Sequence, residues 1–576
     1  MRQRSGVSLP IKLGGPSVDA VGRESARVTS KEQRRSRAAC VARSPFIFTL
    51  LGLLLASGGC GSISAVNADG AVDSAVSNDG RSKDTTNDAG NDGATDTDVT
   101  DNGGCVAQAV PDLPDDNFTD TNCDGIDGDV TRAVFVATSG ADTNPGTMSM
   151  PMATINAAIA KAQATSRSAV YISSGVFEGR VTLVSGISLY GGYSQEAGWL
   201  RSNSYMTVIS STTTADASGR LTAVEGLDIS VATTVDRLTI QAADAVSPSA
   251  SSYAVHCVRC TALTLRNSIL ASGRGAPGGR AADGSPGVNG VNGTAGGAGV
   301  CDSSPPGAGG PGGAFACEGV DVSGGKAGGG GPAGANSGMI GVAGKNGGGS
   351  PGGGGTGGDP GTTGGRGATG SPASAGMPGF GGMLGMITAG FWIGMAGADG
   401  SAGGHGRGGG GGGGGGGQGC SICISGAGNG GGGGGSGGCG GKPGRGGMAG
   451  GGSFGLFLVD SSGFLLVACT ISSSSGGDGG RGGDGGLGGT FGVGRAGGNA
   501  CTAEVGAGGD GGNGSKGGDG GGGGGGGGGP SYAVYRSNTT IALTGNALTN
   551  GSGGLSGSGG LPGGGAGAAG PSGTAF

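Results

Sequence analysis

From residue 133 onward the apolar positions fall into short alternating runs separated by turn residues. Ala133-Val-Phe-Val-Ala137 predicts a strand, and Ser139 to Gly146 (SGADTNPG) carries turn chemistry. Residues 151–164 switch to helical spacing, with Ile155, Ile159 and Ala162 on one face. Strands at Ala169–Ile172, Arg180–Leu183 and Ile187–Tyr190 follow, and a further coil runs from Leu221 to Ile240 through Val224, Leu227, Ile229, Val235 and Leu238. One aromatic-led pattern then occurs three times, beginning at Tyr253, Phe454 and Tyr532 and ending in the apolar runs Leu263–Ile269, Phe464–Ile471 and Ile541–Leu548. A single copy holds too few apolar side chains to fold alone, whereas stacked copies bury a continuous core. The expected class is therefore all-β, a parallel solenoid.

The run VFVATSGADTNPGTMSMPMATINAAIAKA, with VYISSGVFEG and VTLVSGISLYGGY, resembles the N-terminal cap and first coils of a right-handed parallel β-helix domain of unknown function. Such domains occur in bacterial surface proteins and are similar to pectate lyase in coil geometry. The resemblance covers roughly residues 132–275 and implies a right-handed coil with an N-terminal capping helix.

Composition changes this picture. Glycine supplies 155 of the 576 residues, charged residues only 12% and aromatics 4%. Glycine adds nothing to a side-chain core and loses the most entropy when ordered, so one large catalytic domain is excluded. A net charge of −6 excludes a nucleic-acid binder acting through bulk charge. Glycine recurs at every third position from Gly275 to Gly299 with one break at Ala281, and from Gly352 to Gly382 with one break at Ala373. From Gly476 to Gly489 the pattern is strictly GGX. Each tract follows a copy of the aromatic pattern, which places the tracts as insertions at one corner of successive coils. Long loops are tolerated there because closure entropy grows slowly with length.

Three readings of the inserts compete. Collagen needs abundant proline, and only scattered prolines occur. Disorder is the reading from composition alone. The third is a polyglycine-II-like bundle of extended three-residue-per-turn segments, hydrogen-bonded sideways; GGX tracts resemble such bundles in some phage tail adhesins and insect antifreeze proteins. Ordering a residue costs ~1–2 kcal/mol and a net hydrogen bond returns ~0.5–1.5 kcal/mol, so disorder and bundle remain balanced unless covalent staples intervene. Cys301 with Cys317 is one expected staple, and Cys420, Cys423, Cys439 and Cys501 also lie in glycine-rich sequence. Eleven cysteines remain beyond Cys40 and Cys60, so at least one lacks an intramolecular partner.

The N-terminal region addresses location. Residues 1–45 are basic and lead into Phe46–Ala56 (FIFTLLGLLLA). Eleven residues rise only ~16 Å as a helix, short of a ~30 Å bilayer core but matching a secretory h-region. Ala56-Ser-Gly-Gly-Cys60 resembles a bacterial lipobox, which implies lipidation of Cys60 and outer-membrane or cell-surface anchoring; its departure is Ser57 where leucine is preferred. The expected division is a signal peptide with long basic n-region (1–59), an acidic disordered tether (60–104) and an Asp/Cys-rich motif (105–131). The N-terminal part of the solenoid (132–274) comes next. A glycine insert (275–451), a coil (452–475), a second insert (476–530), a second coil (531–550) and a glycine tail (551–576) complete the chain.

Candidate chemistry is sparse. Asp120, Asn122 and Asp124 fall in D-x-N-x-D-G spacing, with Ile126 offering a carbonyl and Asp127 adjacent, an oxygen-rich pattern suited to weak Ca²⁺ binding. The alternative is an Asx-rich turn closed by Cys105 and Cys123, and the stretch is similar to segments preceding surface domains in myxobacterial exported proteins. His256 occupies a position filled by Phe457 and Tyr535 in the other copies, a packing role, and His405 has no neighbouring acid or nucleophile in sequence. Cys257-x-x-Cys260 and Cys420-x-x-Cys423 lack zinc-ribbon separation, which favours disulfides. G-x-S-x-G occurs around Ser350, Ser436 and Ser453 without the strand–turn–helix context of a nucleophile elbow. The apolar island Phe380–Met395 reads either as an anchor docking the insert on the solenoid or as an exposed contact tip in which Phe391 and Trp392 touch a ligand. The expected function is a non-catalytic cell-surface lipoprotein contacting a polysaccharide or envelope surface through its glycine loops. A carbohydrate-active lyase or hydrolase is the alternative.

Overall fold

The structure, a computed structural model, describes residues 105–108, 111–211, 215–216, 220–345, 351–422 and 424–576. The leader, Cys60 and the tether lie outside the described residues, which fall within the unit Asp96–Phe576. Three sheets form the frame, parallel throughout except where Leu200–Arg201 pairs antiparallel with Ser188–Ser194. The first contains Ala133–Val136, Ala169–Ser173, Ser188–Ser194, Thr233–Asp236, Leu263–Arg266 and Leu465–Val467. The second contains Gly175–Glu178, Thr207–Ser210, Leu238–Gln241, Ile269–Ala271, Thr470–Ser472 and Ala547–Thr549. The third contains Val181–Thr182, Leu221–Leu227, Ser252–Val258, Ser453–Val459, Ser531–Ser537 and Ser572–Ala575. From Thr233 the chain visits the sheets in rotation, so the protein is an all-β, parallel, solenoid-like fold. In the last coil the expected strand at Ile541–Leu543 does not form, although Ile541 remains buried against the core.

The interior is aliphatic. Inward positions such as Val170, Leu189, Val235, Ile240, Leu265, Leu456, Leu458 and Ile471 merge into one cluster. The helix Ile155–Ala164 closes its first coils by burying Ile155, Ala158, Ile159 and Ala162. Thr154 caps the helix through its hydroxyl, which accepts from the Ala157 N–H, and the Asp142 carboxylate accepts from the Ala153 and Thr154 N–H groups.

The three aromatic-led segments are neighbours in the third sheet. Tyr253, Phe454 and Tyr532 are in register, as are His256, Phe457 and Tyr535. The ladder passes over Ala254, Gly455 and Ala533, so residues three apart face the same outer side, a local irregularity of the strand.

All the long glycine segments leave one corner, between a second-sheet strand and the next third-sheet strand: Ala271 to Ser453, Ser472 to Ser531 and Thr549 to Ser572. They lie side by side, and their amides repeat partners in threes. Gly430, Gly431 and Gly432 donate to the carbonyls of Gly297, Gly328 and Gly509; the next triplet donates to Thr294, Gly325 and Gly512 on the same three neighbours. Three other segments donate to the same stretch, from Gly498, Gly310 and Gly412. An extended chain with three residues per turn has no internal hydrogen bonds, so all its amides are free to pair sideways.

Glycine content follows position in this bundle. Gly408–Gly417 is buried at every residue, and a Cβ on Gly410, Gly411 or Gly412 would strike the carbonyls of Gly353, Lys326 or Gly509. The tract 476–489 keeps two glycines per triplet and turns Asp478 and Leu487 outward. The edge segment 275–299 needs only one glycine per triplet. At the surface, side chains complete the pairing: Asp283, Asn289 and Asn292 accept from the N–H groups of Asp484, Thr490 and Val493 at 2.8, 2.9 and 2.7 Å.

Disulfides join the bundle, but not as expected. Cys301 pairs with Cys501 and Cys317 with Cys439, rather than Cys301 with Cys317. Lateral packing brings segments distant in sequence together, which proximity along the chain does not reveal. Cys257 pairs with Cys260, Cys105 with Cys123, Cys420 is also disulfide-bonded, and buried Cys469 is the free thiol among the described residues.

Candidate functional site

The outer face of the third sheet carries a stack of rings. His256, Phe457, Tyr535 and Phe576 follow one another at centroid spacings of 5.5, 4.8 and 4.7 Å with interplanar angles of 19°, 7° and 9°. A hairpin from the first insert, Met386–Thr388 paired with Phe391–Ile393, extends this stack: the Phe391 ring lies 3.9 Å from that of His256 at 9°. The guanidinium of Arg220 sits 3.8 Å over Phe391. Trp392 is 9% exposed beside Phe454 and Tyr535, and its backbone N–H donates to the Tyr253 hydroxyl. Phe391 and Trp392 thus dock the insert on the solenoid, which is the anchor reading of the island. Arg220, Tyr253, Phe391 and Trp392 line a cleft of about 410 Å³ at this junction.

His256 Nε2 lies 2.9 Å from the Gly390 carbonyl, so this nitrogen carries the proton and donates. Burial pushes the imidazole down to about 4, with the Arg220 charge adding to the effect and the Gly390 hydrogen bond opposing it. His256 is therefore neutral at neutral pH and packs as an aromatic ring. His405 accepts the Gly440 N–H through Nδ1 at 3.1 Å, holding two bundle segments together.

Apart from half-buried Ile387, which packs against the same ring cluster, the island's other members face solvent. Met377, just before it, is 75% exposed, Phe380 84% and Met383 70%, and Leu384 and Met386 are exposed as well. Three-residue spacing places Met377, Phe380 and Met383 in one row along an extended segment. No charged residue occurs between Arg366 and Asp399, or after Arg536. The tail pairs with this segment through the Gly565 and Ala568 amides, which donate to Gly379 and Gly382. The row was readable in the sequence as Met377-x-x-Phe380-x-x-Met383 once a three-residue period is applied.

The Asp/Cys-rich motif divides in two. Asp120 accepts from the Asp124 and Gly125 N–H groups, Asn122 from Asp124, and Asp124 from Ile126 and Val130, an Asx-turn pattern. Ile126 is buried among Phe135, Tyr171 and Trp199. Asp127 points elsewhere: it is buried against Arg201 at 3.1 Å, and Arg201 also reaches Asp236 at 2.7 Å. Arg266 shares Asp236 at 2.9 Å. Burial raises the Asp127 carboxyl to about 6, with the Asp115 N–H and Arg201 opposing. Among the described residues no group of three His, Cys, Asp or Glu side chains is arranged to hold a metal ion. The Arg201 network, which ties this motif to the first sheet, had no sequence signal beyond the isolated charges themselves.

Of the G-x-S-x-G serines, Ser436 and Ser453 are buried, and Ser350 lies outside the described residues. Ser436 donates to the Gly437 carbonyl and accepts from the Val291 N–H, while Ser453 shares a hydrogen bond with Ser272. No helix among the described residues is long and apolar enough to cross a membrane. Comparison with known families, curated proteins and solved structures returns no match.

Proposed function

We propose that this chain is a non-catalytic surface lipoprotein, exported and anchored through Cys60, whose glycine inserts make contact with a polysaccharide or envelope surface. In this reading the solenoid is a right-handed parallel β-helix, the acidic stretch 60–104 lifts it from the outer membrane, and the polyglycine-II-like bundle is the contact element. The observation that carries the reading is the exposed row Met377, Phe380 and Met383 on a charge-free stretch of the bundle. Apolar patches held open to solvent on an ordered scaffold mark interaction surfaces, and a backbone already paired laterally leaves contact to the side chains.

The test is adsorption of the purified chain to isolated cell envelopes and to immobilised polysaccharide. Replacing Met377, Phe380 and Met383 together by Ser should lower retention by about tenfold or more while the disulfides and thermal unfolding stay unchanged. Undiminished retention ends the proposal. Incubation with pectin, alginate and peptidoglycan fragments tests the alternative, since a released product would make the chain an enzyme.

A further inference from the structure

The bundle's regular pairing fails at one place. Between segments 364–382 and 507–525 the amides of Gly364, Gly367, Gly370, Gly376, Gly379 and Gly382 donate to Ala507, Asp510, Asn513, Asp519, Gly522 and Gly525 at a constant offset. The bond that the same offset requires, from Ala373 to Lys516, is missing. This is the position where alanine replaces the repeating glycine. At Ala281, the other such break, the amide still donates to Arg481, so a lost glycine alone does not open the lattice.

The second face of the same segment shows the cause. Gly404, Gly410 and Gly413 donate to Ser374, Ala368 and Gly365, and that series requires a bond from the Arg407 amide to the Ser371 carbonyl. Instead the Arg407 amide donates to the Ser515 hydroxyl at 2.8 Å, and its guanidinium takes the Ser371 carbonyl at 3.0 Å together with the Pro372 carbonyl. A long side chain has replaced a backbone rung and holds residues 371–373 off both neighbours.

The displacement leaves a cleft of about 440 Å³ whose lining includes Pro372, Ala373, Phe491, Lys516 and Asp519. That volume falls within the range of small-molecule sites, ~300–1,000 Å³. Across it stand an amide donor on Ala373 and a carbonyl acceptor on Lys516 that the lattice would have joined. Lys516 and Asp519 neutralise each other at 2.7 Å, so the rim offers no unpaired charge. Phe491, 41% exposed, supplies an aromatic wall.

We propose that this cleft binds one or two sugar units of a neutral glycan. A pyranose presents an apolar C–H face for the Phe491 ring and hydroxyls that both donate and accept, and it carries no charge to conflict with the paired rim. The site stands independently of the exposed Met–Phe row.

Saturation-transfer NMR on the full chain, with maltose, cellobiose and chitobiose as probes and triglycine as the peptide comparison, tests it. At least one disaccharide should show transfer. Phe491→Ser should weaken its binding about tenfold, the loss of one aromatic contact. Arg407→Gly should abolish transfer by restoring the two rungs, and it should raise the unfolding temperature, a change that mere disruption would not produce. Absence of transfer from all three sugars, transfer from triglycine alone, or unchanged sugar binding in Phe491→Ser overturns the assignment.

Discussion

The solenoid and the bundle solve one folding problem with opposite materials. In the solenoid, side chains such as Leu456, Leu458 and Ile471 expel water, and strands need only pair with two neighbours. In the bundle, segments such as Gly430–Gly435 have no side chain to bury and exchange hydrogen bonds with neighbours on all sides. The first tolerates any apolar residue of suitable volume. In the second, a Cβ on an interior glycine such as Gly410 or Gly412 would meet carbonyl groups that cannot rotate away as a side chain would, and buried Ser436 and Asn429 fit only where their side chains accept backbone amides. Low side-chain content is therefore compatible with a packed interior when the backbone supplies both the contacts and the donors.

The largest expected effect tests the staples that hold the bundle. Replacing Cys317 and Cys439, separated by 122 residues, with Ser should cost ~5 kcal/mol in the chain-entropy view. Limited proteolysis should then cut within 301–450 while the solenoid strands survive. Next, Gly412→Ala should cost ~4 kcal/mol, since its methyl group would overlap the Gly509 carbonyl and two segments must separate. Leu487→Ala, on an exposed triplet position, should change stability by less than ~0.5 kcal/mol. Equal denaturation midpoints for Gly412→Ala and Leu487→Ala would remove the distinction between interior and surface triplets.

A pH series probes the junction of the two regions. His256 titrates near 4 when folded against an unfolded value of 6.5. Between these values the unfolded chain holds the extra proton, so stability falls as pH drops from 6.5 towards 4, by up to ~3 kcal/mol. Asp127 acts in the opposite sense: raised from 3.8 to about 6, it favours the folded state as pH falls through that window. His256→Phe should remove this pH dependence, so the difference in unfolding free energy between wild type and variant should change with pH below about 6.5 and become constant above pH 7, where the lost Gly390 hydrogen bond sets the remaining offset. A smaller effect than that of His256 concerns a surface rung: Asp484→Ala should cost ~1 kcal/mol by stranding the Leu561 N–H, seen as faster amide exchange at Leu561.

Much of this could be read from residue spacing. The strand at Ala133, the helical face of Ile155 and Ile159, and the in-register aromatics Tyr253, Phe454 and Tyr532 follow from period and repeat. The glycine triplets defined the bundle as one of two balanced alternatives, because per-residue ordering cost and hydrogen-bond gain nearly cancel. What decides the balance is the company of many segments, and neither the Cys301–Cys501 link nor the Asn289–Thr490 contact is local in sequence. The apolar island was visible as a unit, but which members dock and which protrude depends on the hairpin turn at Ala389-Gly390, both at positive φ. Arg407 went unnoticed among charged residues, although a lone long side chain within a run of glycines is itself the signal.

The lateral pairing in threes also sets how such a gene can change. Losing or gaining one or two codons inside a tract would turn every later amide towards the wrong neighbour, whereas a whole triplet only slides the segment by one step along partners that look alike. Lineages of this architecture should differ in tract length by multiples of three residues, with matching changes in the adjoining segments, and replication slippage in repetitive glycine codons would provide the raw variation.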